Sequence, residues 1–179
     1  SFLEFRGRNF VFMCILATMM VTWEATIIAN YLTVSTWGWL DSYRVLILPY
    51  GCSAMGVFLM RQNYLTFAKE LHEAAKLDGC SNWRFLATIV IPLARPALGA
   101  LGAYVFLLQW NQYLWPLLVT NSDRVRTVQI GVSQMYDIDS ESIALMMSAV
   151  IVVLIPSLSI FVFMQKQLIN GLMAGAVKG

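Results

Sequence analysis

Few side chains in this sequence could carry covalent or metal chemistry. The chain has one histidine, His72, and three cysteines, Cys14, Cys52 and Cys80, which stand far apart. A structural zinc site needs about four clustered ligands, and a disulfide framework needs cysteines in an oxidising compartment. We therefore expect no metal site and no disulfide.

The sequence also lacks a loop that could hold the phosphates of ATP. Such a loop reads Gly-x4-Gly-Lys-Ser/Thr and leads into a helix. The C-terminal "GLMAGAVKG" has glycines and a lysine but neither the hydroxyl residue nor the spacing. The chain therefore cannot hydrolyse ATP alone. We expect it to bind no cofactor and to be no enzyme by itself.

Composition indicates an integral membrane protein of the all-α class. Of the 179 residues, 59% are hydrophobic and 12% are charged, and the mean hydropathy is +0.66. Soluble domains are about half apolar and about a quarter charged. The net charge of +2 is too small to suggest nucleic-acid binding.

Four runs are apolar enough to cross a membrane, which takes about 20 residues for a helix. They cover residues 10–29, 45–60, 85–110 and 143–164. The second run is short and is flanked by Arg44 and Arg61, whose side chains could extend to the two interfaces. The sequence therefore predicts a single transmembrane domain over residues 1–179 with four visible spans.

Lysine and arginine mark the predicted orientation, because they are enriched in cytoplasmic loops. One side holds Arg6, Arg8, Arg61, Lys69, Lys76, Arg84, Lys166 and Lys178, whereas the other holds Arg44, Arg124 and Arg126. The richer side is predicted to be cytoplasmic. Residues 62–84 then form a cytoplasmic loop, 165–179 a cytoplasmic tail, and 121–141 an outer loop.

The 62–84 loop has the pattern of a short amphipathic helix over residues 66–77. Its apolar stripe consists of Phe67, Leu71, Ala74 and Ala75, and its charged face of Lys69, Glu70, Glu73 and Lys76. About three turns are too few for a helix that is stable alone, so it must dock on something. Gly79 is placed to end the helix, and Ser81 or Asn82 to cap the next. The plainer alternative is a helical hairpin on the membrane surface.

This loop resembles the EAA signature of ABC importer permeases. "EAAKLDG" is followed by nine residues and "IVIP", which places Glu73, Ala74, Ala75, Gly79, Ile89 and Pro92 in register, with Ile91 at a position usually held by leucine. Four further segments are similar to carbohydrate-uptake permeases of the maltose and glycerol-3-phosphate type: "ILPYGCSAMGVFLMRQNY", "WNQYLWPLL", "RTVQIGV" and the terminal "GLMAGAVKG". The resemblance begins at Gly7.

The resemblance implies a subunit that works with other proteins in a bacterial cytoplasmic membrane. Its partners would be a second permease subunit, an ATPase dimer that holds ATP and Mg, and an extracytoplasmic solute-binding protein. Members usually have six spans, so we expect two further spans N-terminal to those visible here. The solute would be a sugar, a polyol or a glycerol phosphate, and a non-sugar solute is the alternative.

The resemblance also assigns roles within the coupling loop. Glu73 would anchor the loop to an arginine of the ATPase, and Ala74 and Ala75 would allow a close approach. In the same "LDG" stretch, Asp78 precedes Gly79, which would permit the turn. Ile89 and Pro92 would set the entry of the third span, where Pro92 and Pro96 predict a bend.

A second set of residues is a candidate lining for the solute pathway. Trp110, Asn111, Gln112 and Tyr113 interrupt an apolar run, and aromatic rings beside amides suit sugars. The alternative is an interfacial aromatic belt with capping amides. Glu24 is an acid within the first span and is a candidate by default, unless it merely reaches the outer interface.

Two further expectations concern the protein class and the first span. The segment "MMVTWEATIIANYL" lacks the prolines that the family usually has near Thr22 and Ala29, which puts the usual kinks of this span in doubt. An intramembrane enzyme would need paired acids or a nucleophile at membrane depth, and an ion channel would not need an EAA loop. Neither class fits these residues as well as a permease.

Overall fold

A computed structural model describes residues 6–67, 69–138 and 143–173, with side chains at 6–67, 70–135 and 143–165. All regular elements in these ranges are helices. They are α1 (Arg8–Ala17), α2 (Trp23–Thr36), α3 (Tyr43–Ile47), α4 (Ala54–Leu65), α5 (Lys69–Leu77), α6 (Asn82–Phe85), α7 (Ile91–Leu93), α8 (Arg95–Trp110), α9 (Leu114–Val119), α10 (Val128–Ile138) and α11 (Ile143–Met173). Short 3₁₀ turns at Thr18–Met20 and Leu48–Tyr50 and a π-helical turn at Leu86–Val90 join some of them.

All four predicted membrane runs are helical. Within the described residues, one unbroken helix is long and apolar enough to cross a membrane, at Ile143–Gln165 with a mean hydropathy of 2.6. Three interrupted pairs meet the same test: Arg8–Met20 with Trp23–Thr36, Tyr43–Tyr50 with Ala54–Leu65, and Asn82–Leu93 with Arg95–Trp110. By length and composition, the described part of the chain thus holds one candidate span, or up to four if each interrupted pair is one span.

The first span is interrupted near Thr22 although it has no proline there, so the doubt about a kink was wrong at that position, whereas α2 runs unbroken through Ala29. The chain tightens into a 3₁₀ turn at Thr18–Met20, and Thr22 is extended, with φ −71° and ψ 143°. The Thr18 hydroxyl donates to the carbonyl of Ile15 at 2.6 Å, a back-bond that often bends helices. Threonine can thus contribute to a break that is usually attributed to proline.

The chain divides into two compact units, each with its own core. The first unit comprises the described parts of 1–20, 53–103 and 164–179, and the second those of 21–52 and 104–163. Arg8, Arg61, Lys76 and Arg84 belong to the first, whereas Arg44, Arg124 and Arg126 belong to the second. The basic residues therefore separate into the two groups from which the orientation is predicted.

In the first unit, α1 packs on α4 through aromatic contacts. Phe12 and Phe58 stack with ring centroids 6.4 Å apart, and the Arg61 guanidinium lies 3.8 Å above the Phe12 ring. Gly56, which is buried in α4, faces the side chain of Leu101. A Cβ at Gly56 would lie 3.6 Å from the Leu101 side-chain carbons, an ordinary van der Waals distance, so α4 and α8 are in contact at this point.

In the second unit, a tryptophan side chain completes a helix that proline interrupts. Trp115 is 0% exposed in a cluster with Ile27, Val34, Val45 and Val119. Its indole N–H donates to the carbonyl of Val45 at 3.0 Å. That carbonyl lies four residues before Pro49, which has no N–H to give it. The indole thus replaces a missing backbone donor within the core.

The predicted outer loop at 121–141 contains a helix, α10, which was not predicted from the sequence. Val128, Val132 and Met135 recur at helical spacing, and Ile130 is buried. Residues 139–142 and 174–179, including part of this loop and the end of the predicted tail, lie outside the described residues.

An aspartate in the second unit joins two loops. Asp41 has a positive φ of 56°, and its Oδ1 accepts hydrogen bonds from the backbone N–H groups of Asn121 (2.9 Å) and Ser122 (2.8 Å). The Asp41 N–H also donates to the carbonyl of Val119 at 2.8 Å. The hydrogen bond from Ser122, followed by that from Asn121, lowers the pKa of the Asp41 carboxyl below its usual 3.8.

We expect this loop contact to weaken in acid. Because the folded-state pKa of Asp41 is lowered, its contribution is present above pH ~4 and is lost as the pH falls through the lowered pKa. Hydrogen exchange at Asn121 and Ser122 should be slower in the wild type than in Asp41→Asn at neutral pH. The two should converge below the lowered pKa, whereas a difference that persists in strong acid would contradict this assignment. Asparagine is a suitable replacement because it tolerates positive φ.

Candidate functional site

The helix of the 62–84 loop, α5, ends in a glycine turn that fixes its length. Gly79 has φ +72°, its N–H donates to the carbonyl of Lys76 at 3.0 Å, and the Cys80 N–H donates to that of Ala75 at 2.9 Å. These two bonds form the Schellman arrangement, in which the first residue beyond the helix is left-handed. The sequence predicted the glycine stop correctly.

The Ser81 side chain then starts the next helix. Its hydroxyl oxygen accepts a hydrogen bond from the backbone N–H of Arg84 at 3.3 Å, which caps α6. Of the two cap candidates, the serine therefore takes the role. The turn between α5 and α6 is thus held by backbone hydrogen bonds on the α5 side and by the Ser81 side chain on the α6 side.

One face of α5 packs on the start of the third span. Ala75 is 6% exposed and clusters with Phe85 and Val90. Phe67 and Leu71 pack against this cluster, as do Tyr64, Cys80, Leu86 and Ile89. Ala75 thus contacts its own chain, and of the two neighbouring alanines Ala74 is the one at the surface. The docking that the short helix requires is supplied by the membrane helix that follows.

The opposite face of α5 and the start of α6 carry exposed apolar side chains. Leu77 is 89% exposed and Trp83 is 82% exposed. Glu73, Ala74 and Asp78 are also exposed. A leucine and a tryptophan this exposed, beside a carboxylate, suit a protein interface. Neither residue was predicted to be functional, although Leu77 lies two positions from Ala75 and so about 200° around the helix.

The third span enters the membrane through a break. A π-helical turn at Leu86–Val90 leads to α7, and the axis bends by 74° between Asn82–Leu93 and Arg95–Trp110. Ala94 lies at the bend and is 0% exposed. Pro92 and Pro96 flank it, which confirms the predicted bend. Ile89 is half-buried against the cluster under α5.

Substituting Gly79 tests whether the turn is strained for other residues. A Cβ at Gly79 would meet nothing within 4 Å, so the cost of Gly79→Ala comes from its positive φ, about 1–2 kcal/mol. Hydrogen exchange at residues 79 and 80 should accelerate about 5- to 30-fold. Gly102→Ala is the control, because that Cβ also meets nothing within 4 Å and its φ is not positive. Equal effects of both variants on exchange in the turn would contradict the assignment.

The candidate pathway residues occur in the second unit, where several of them bond to their own chain. The Trp110 indole donates to the carbonyl of Val153 at 3.1 Å, and the Gln112 amide donates to the Tyr50 hydroxyl at 2.8 Å. The Asn111 amide donates to the carbonyl of Leu107 at 2.8 Å, which is a capping contact. Tyr113 is 39% exposed.

Glu24 is exposed in the first turn of α2, where a carboxylate interacts favourably with the helix dipole. Next to it, Trp23 has a buried indole N–H without a hydrogen-bond partner among the described residues. The Trp23 ring lies 5.4 Å from those of both Tyr50 and Trp115. This aromatic group, completed by the Tyr50–Gln112 bond, depends on contacts between distant parts of the sequence, so the local pattern did not reveal it.

The helices, the interrupted spans and the exposed loop together define a multi-pass helical membrane protein with a loop suited to binding another protein. Residues 2–172 match the family model of the binding-protein-dependent transport system inner membrane component. The chain belongs to this family of inner membrane components.

Curated relatives of this chain are named as permease proteins. The arabinooligosaccharides transport system permease protein AraQ of Bacillus subtilis is 35% identical over 176 residues, which are 98% of this chain and 63% of the relative. The sn-glycerol-3-phosphate transport system permease protein UgpE of Rhizobium meliloti is 38% identical over 173 residues, 96% of this chain and 61% of the relative. The chain thus spans 61% to 63% of the length of these two relatives.

Proposed function

We propose that this chain is a membrane-spanning subunit of an ATP-driven importer for a carbohydrate or a related solute, such as a polyol or a glycerol phosphate. Family membership and the names of the relatives support this class of solute. Its partners are a second permease subunit, a separate ATPase dimer that holds ATP and Mg, and an extracytoplasmic solute-binding protein. The ATPase meets the 62–84 loop on the cytoplasmic side.

The observation that carries this proposal is the position of α5, which packs on its own chain with one face and exposes the other. Its inner face rests on Phe85 and Val90 through Ala75, whereas Glu73 and Leu77 face outward. Force applied by a partner to the outer face is therefore passed directly to the first turns of the third span. The 74° bend at Ala94 provides a place where that span can change its angle.

In this mechanism, closure of the ATPase dimer on ATP moves α5 and biases the permease between its two access states. Glu73 supplies a charge for an arginine of the ATPase, and Leu77 and Trp83 supply apolar contact. Gly79 and Ser81 fix the conformation of the turn, so the movement of α5 is not absorbed by a flexible loop. Ile89 and Pro92 lie where the 62–84 loop joins the third span.

The solute would pass the aromatic and amide groups of the second unit. Trp23, Tyr50, Gln112 and Tyr113 combine ring faces with hydrogen-bonding groups, which suits hydroxylated solutes. Uptake into proteoliposomes that hold the four-part system, with arabino-oligosaccharides and sn-glycerol-3-phosphate as probes, identifies the cargo. Transport of a non-sugar solute alone would leave the importer class intact but remove the carbohydrate assignment.

Charge reversal of Glu73 tests the coupling site. Glu73→Arg should reduce both recovery of the ATPase in a pull-down and ATP-driven uptake. Asp123→Arg is the control, since Asp123 is 91% exposed in the second unit, away from this loop in the sequence. Unchanged ATPase recovery and uptake in Glu73→Arg would contradict the proposed role of the loop.

A further inference from the structure

The first unit contains a cavity to which the transport mechanism assigns no ligand. Its volume is about 710 Å³, within the range of roughly 300–1,000 Å³ typical of small-molecule sites. It lies among α1, α4, α5, α6 and the π-helical turn. Its lining is Arg8, Val11, Phe12, Ile15, Val57, Met60, Arg61, Tyr64, His72, Asn82, Trp83, Phe85, Leu86 and Val90.

Most of this lining is apolar and comes from membrane-spanning helices. Val11 and Ile15 are four residues apart on α1, and Val57 lies on α4. These side chains form a wall that runs along the helix axes. A flexible hydrocarbon chain would fit such a wall better than a polar solute, which would leave its hydrogen-bonding groups unpaired.

The charged residues in the lining are both arginines. Arg61 is half-buried, its Nη2 donates to the Asn9 side-chain oxygen at 3.0 Å, and its guanidinium is held 3.8 Å above the Phe12 ring. It forms no ion pair with any side chain that the structure describes. Arg8, at the start of α1, also lines the cavity, and no aspartate or glutamate contributes to the lining.

A half-buried cation among apolar groups favours an anion as its neighbour. The Asn9 contact uses one of five guanidinium N–H donors and fixes the orientation of the group, which leaves donors for a planar or tetrahedral anion. Phosphate is well matched to this geometry, because guanidinium groups bind it through two parallel hydrogen bonds. The Asn82 side chain adds a polar group to the lining.

We infer that this cavity binds one anionic phospholipid, with the phosphate between Arg8 and Arg61 and an acyl chain along Val11, Ile15 and Val57. Basic pockets between membrane helices bind anionic head groups in this way. The proposed orientation of the chain places this lipid in the cytoplasmic leaflet. The inferred lipid site itself does not depend on that orientation. Since His72, Trp83 and Phe85 also line the cavity, the lipid would contact the loop that carries α5.

The test uses native mass spectrometry to count the lipids bound to the 179-residue chain, purified from micelles with equal amounts of phosphatidylglycerol and phosphatidylcholine. One phosphatidylglycerol should be retained in preference to phosphatidylcholine. Arg61→Gln and Arg8→Gln should each reduce its retention about five-fold, and Arg61→Lys should reduce it less. Arg44→Gln, in the second unit, is the control.

Three outcomes would overturn the inference. They are equal retention of the two lipids, equal loss in Arg61→Gln and Arg44→Gln, and displacement of the bound lipid by inorganic phosphate, which would indicate a site for a free anion. Helical content measured by circular dichroism checks that each variant is folded. The test needs neither ATPase nor solute, so its failure is separate from a failure of the proposed transport function.

Discussion

Replacing Leu77 with glutamate is expected to lower ATP-driven uptake about 30-fold or more while leaving the chain folded. Leu77 is 89% exposed, so the substitution removes almost no packing within the chain. An apolar anchor at the centre of a protein interface is worth about 2 kcal/mol or more, and each ~1.4 kcal/mol is tenfold in binding. A carboxylate at that position would also be buried without a partner.

The measurement compares uptake and ATPase stimulation in proteoliposomes for wild type, Leu77→Glu and Leu77→Met. The methionine variant keeps an apolar side chain of similar volume and should retain most activity. Trp83→Ala should have an intermediate effect, since Trp83, at the start of α6, is also exposed. If Leu77→Glu transports like the wild type, Leu77 is not part of the interface with the ATPase.

Replacing Trp115 with alanine is expected to destabilise the second unit by about 3–5 kcal/mol, the range for a buried tryptophan. Its side chain is fully buried among Ile27, Val34, Val45 and Val119. Trp115→Phe keeps much of the packing but leaves the Val45 carbonyl without its donor, at a cost of about 1–3 kcal/mol. Trp37→Ala is the control, because Trp37 is exposed.

A double-mutant cycle with Pro49 isolates the hydrogen bond. In Pro49→Ala the backbone N–H of residue 49 can bond to Val45, so the carbonyl no longer depends on the indole. Trp115→Phe should therefore cost less in the Pro49→Ala background than in the wild type. Unfolding by SDS titration, followed by circular dichroism, gives the four free energies. Equal costs in both backgrounds would contradict the donor role of Trp115.

The sequence predicted the parts of this protein that local patterns determine. The four apolar runs form helices, Gly79 ends α5, and a bend lies at Ala94 between the two prolines. Each depends on hydrophobic length, on a left-handed residue or on a missing N–H. Because these signals involve residues that are close in the sequence, they can be recognised without knowledge of the tertiary structure.

The features that the sequence did not reveal depend on contacts between distant residues or on a rotation about a helix axis. The Trp115–Val45 bond joins residues 70 positions apart, and the inward position of Ala75 rather than Ala74 is decided by where Phe85 lies. The two alanines differ by about 100° around the axis, which a three-turn pattern does not resolve. The break after Thr18 contains no proline, the residue from which such a break would have been predicted.

Photo-crosslinking from position 77 tests the coupling role of α5 most directly. Benzoylphenylalanine at position 77 of the assembled transporter should form an adduct with the ATPase subunit, and its yield should change between ATP-bound and nucleotide-free states. The same probe at position 145, which is exposed on α11 in the second unit, should not. No ATPase adduct from position 77 in either state, or equal adducts from both positions, would contradict coupling through α5.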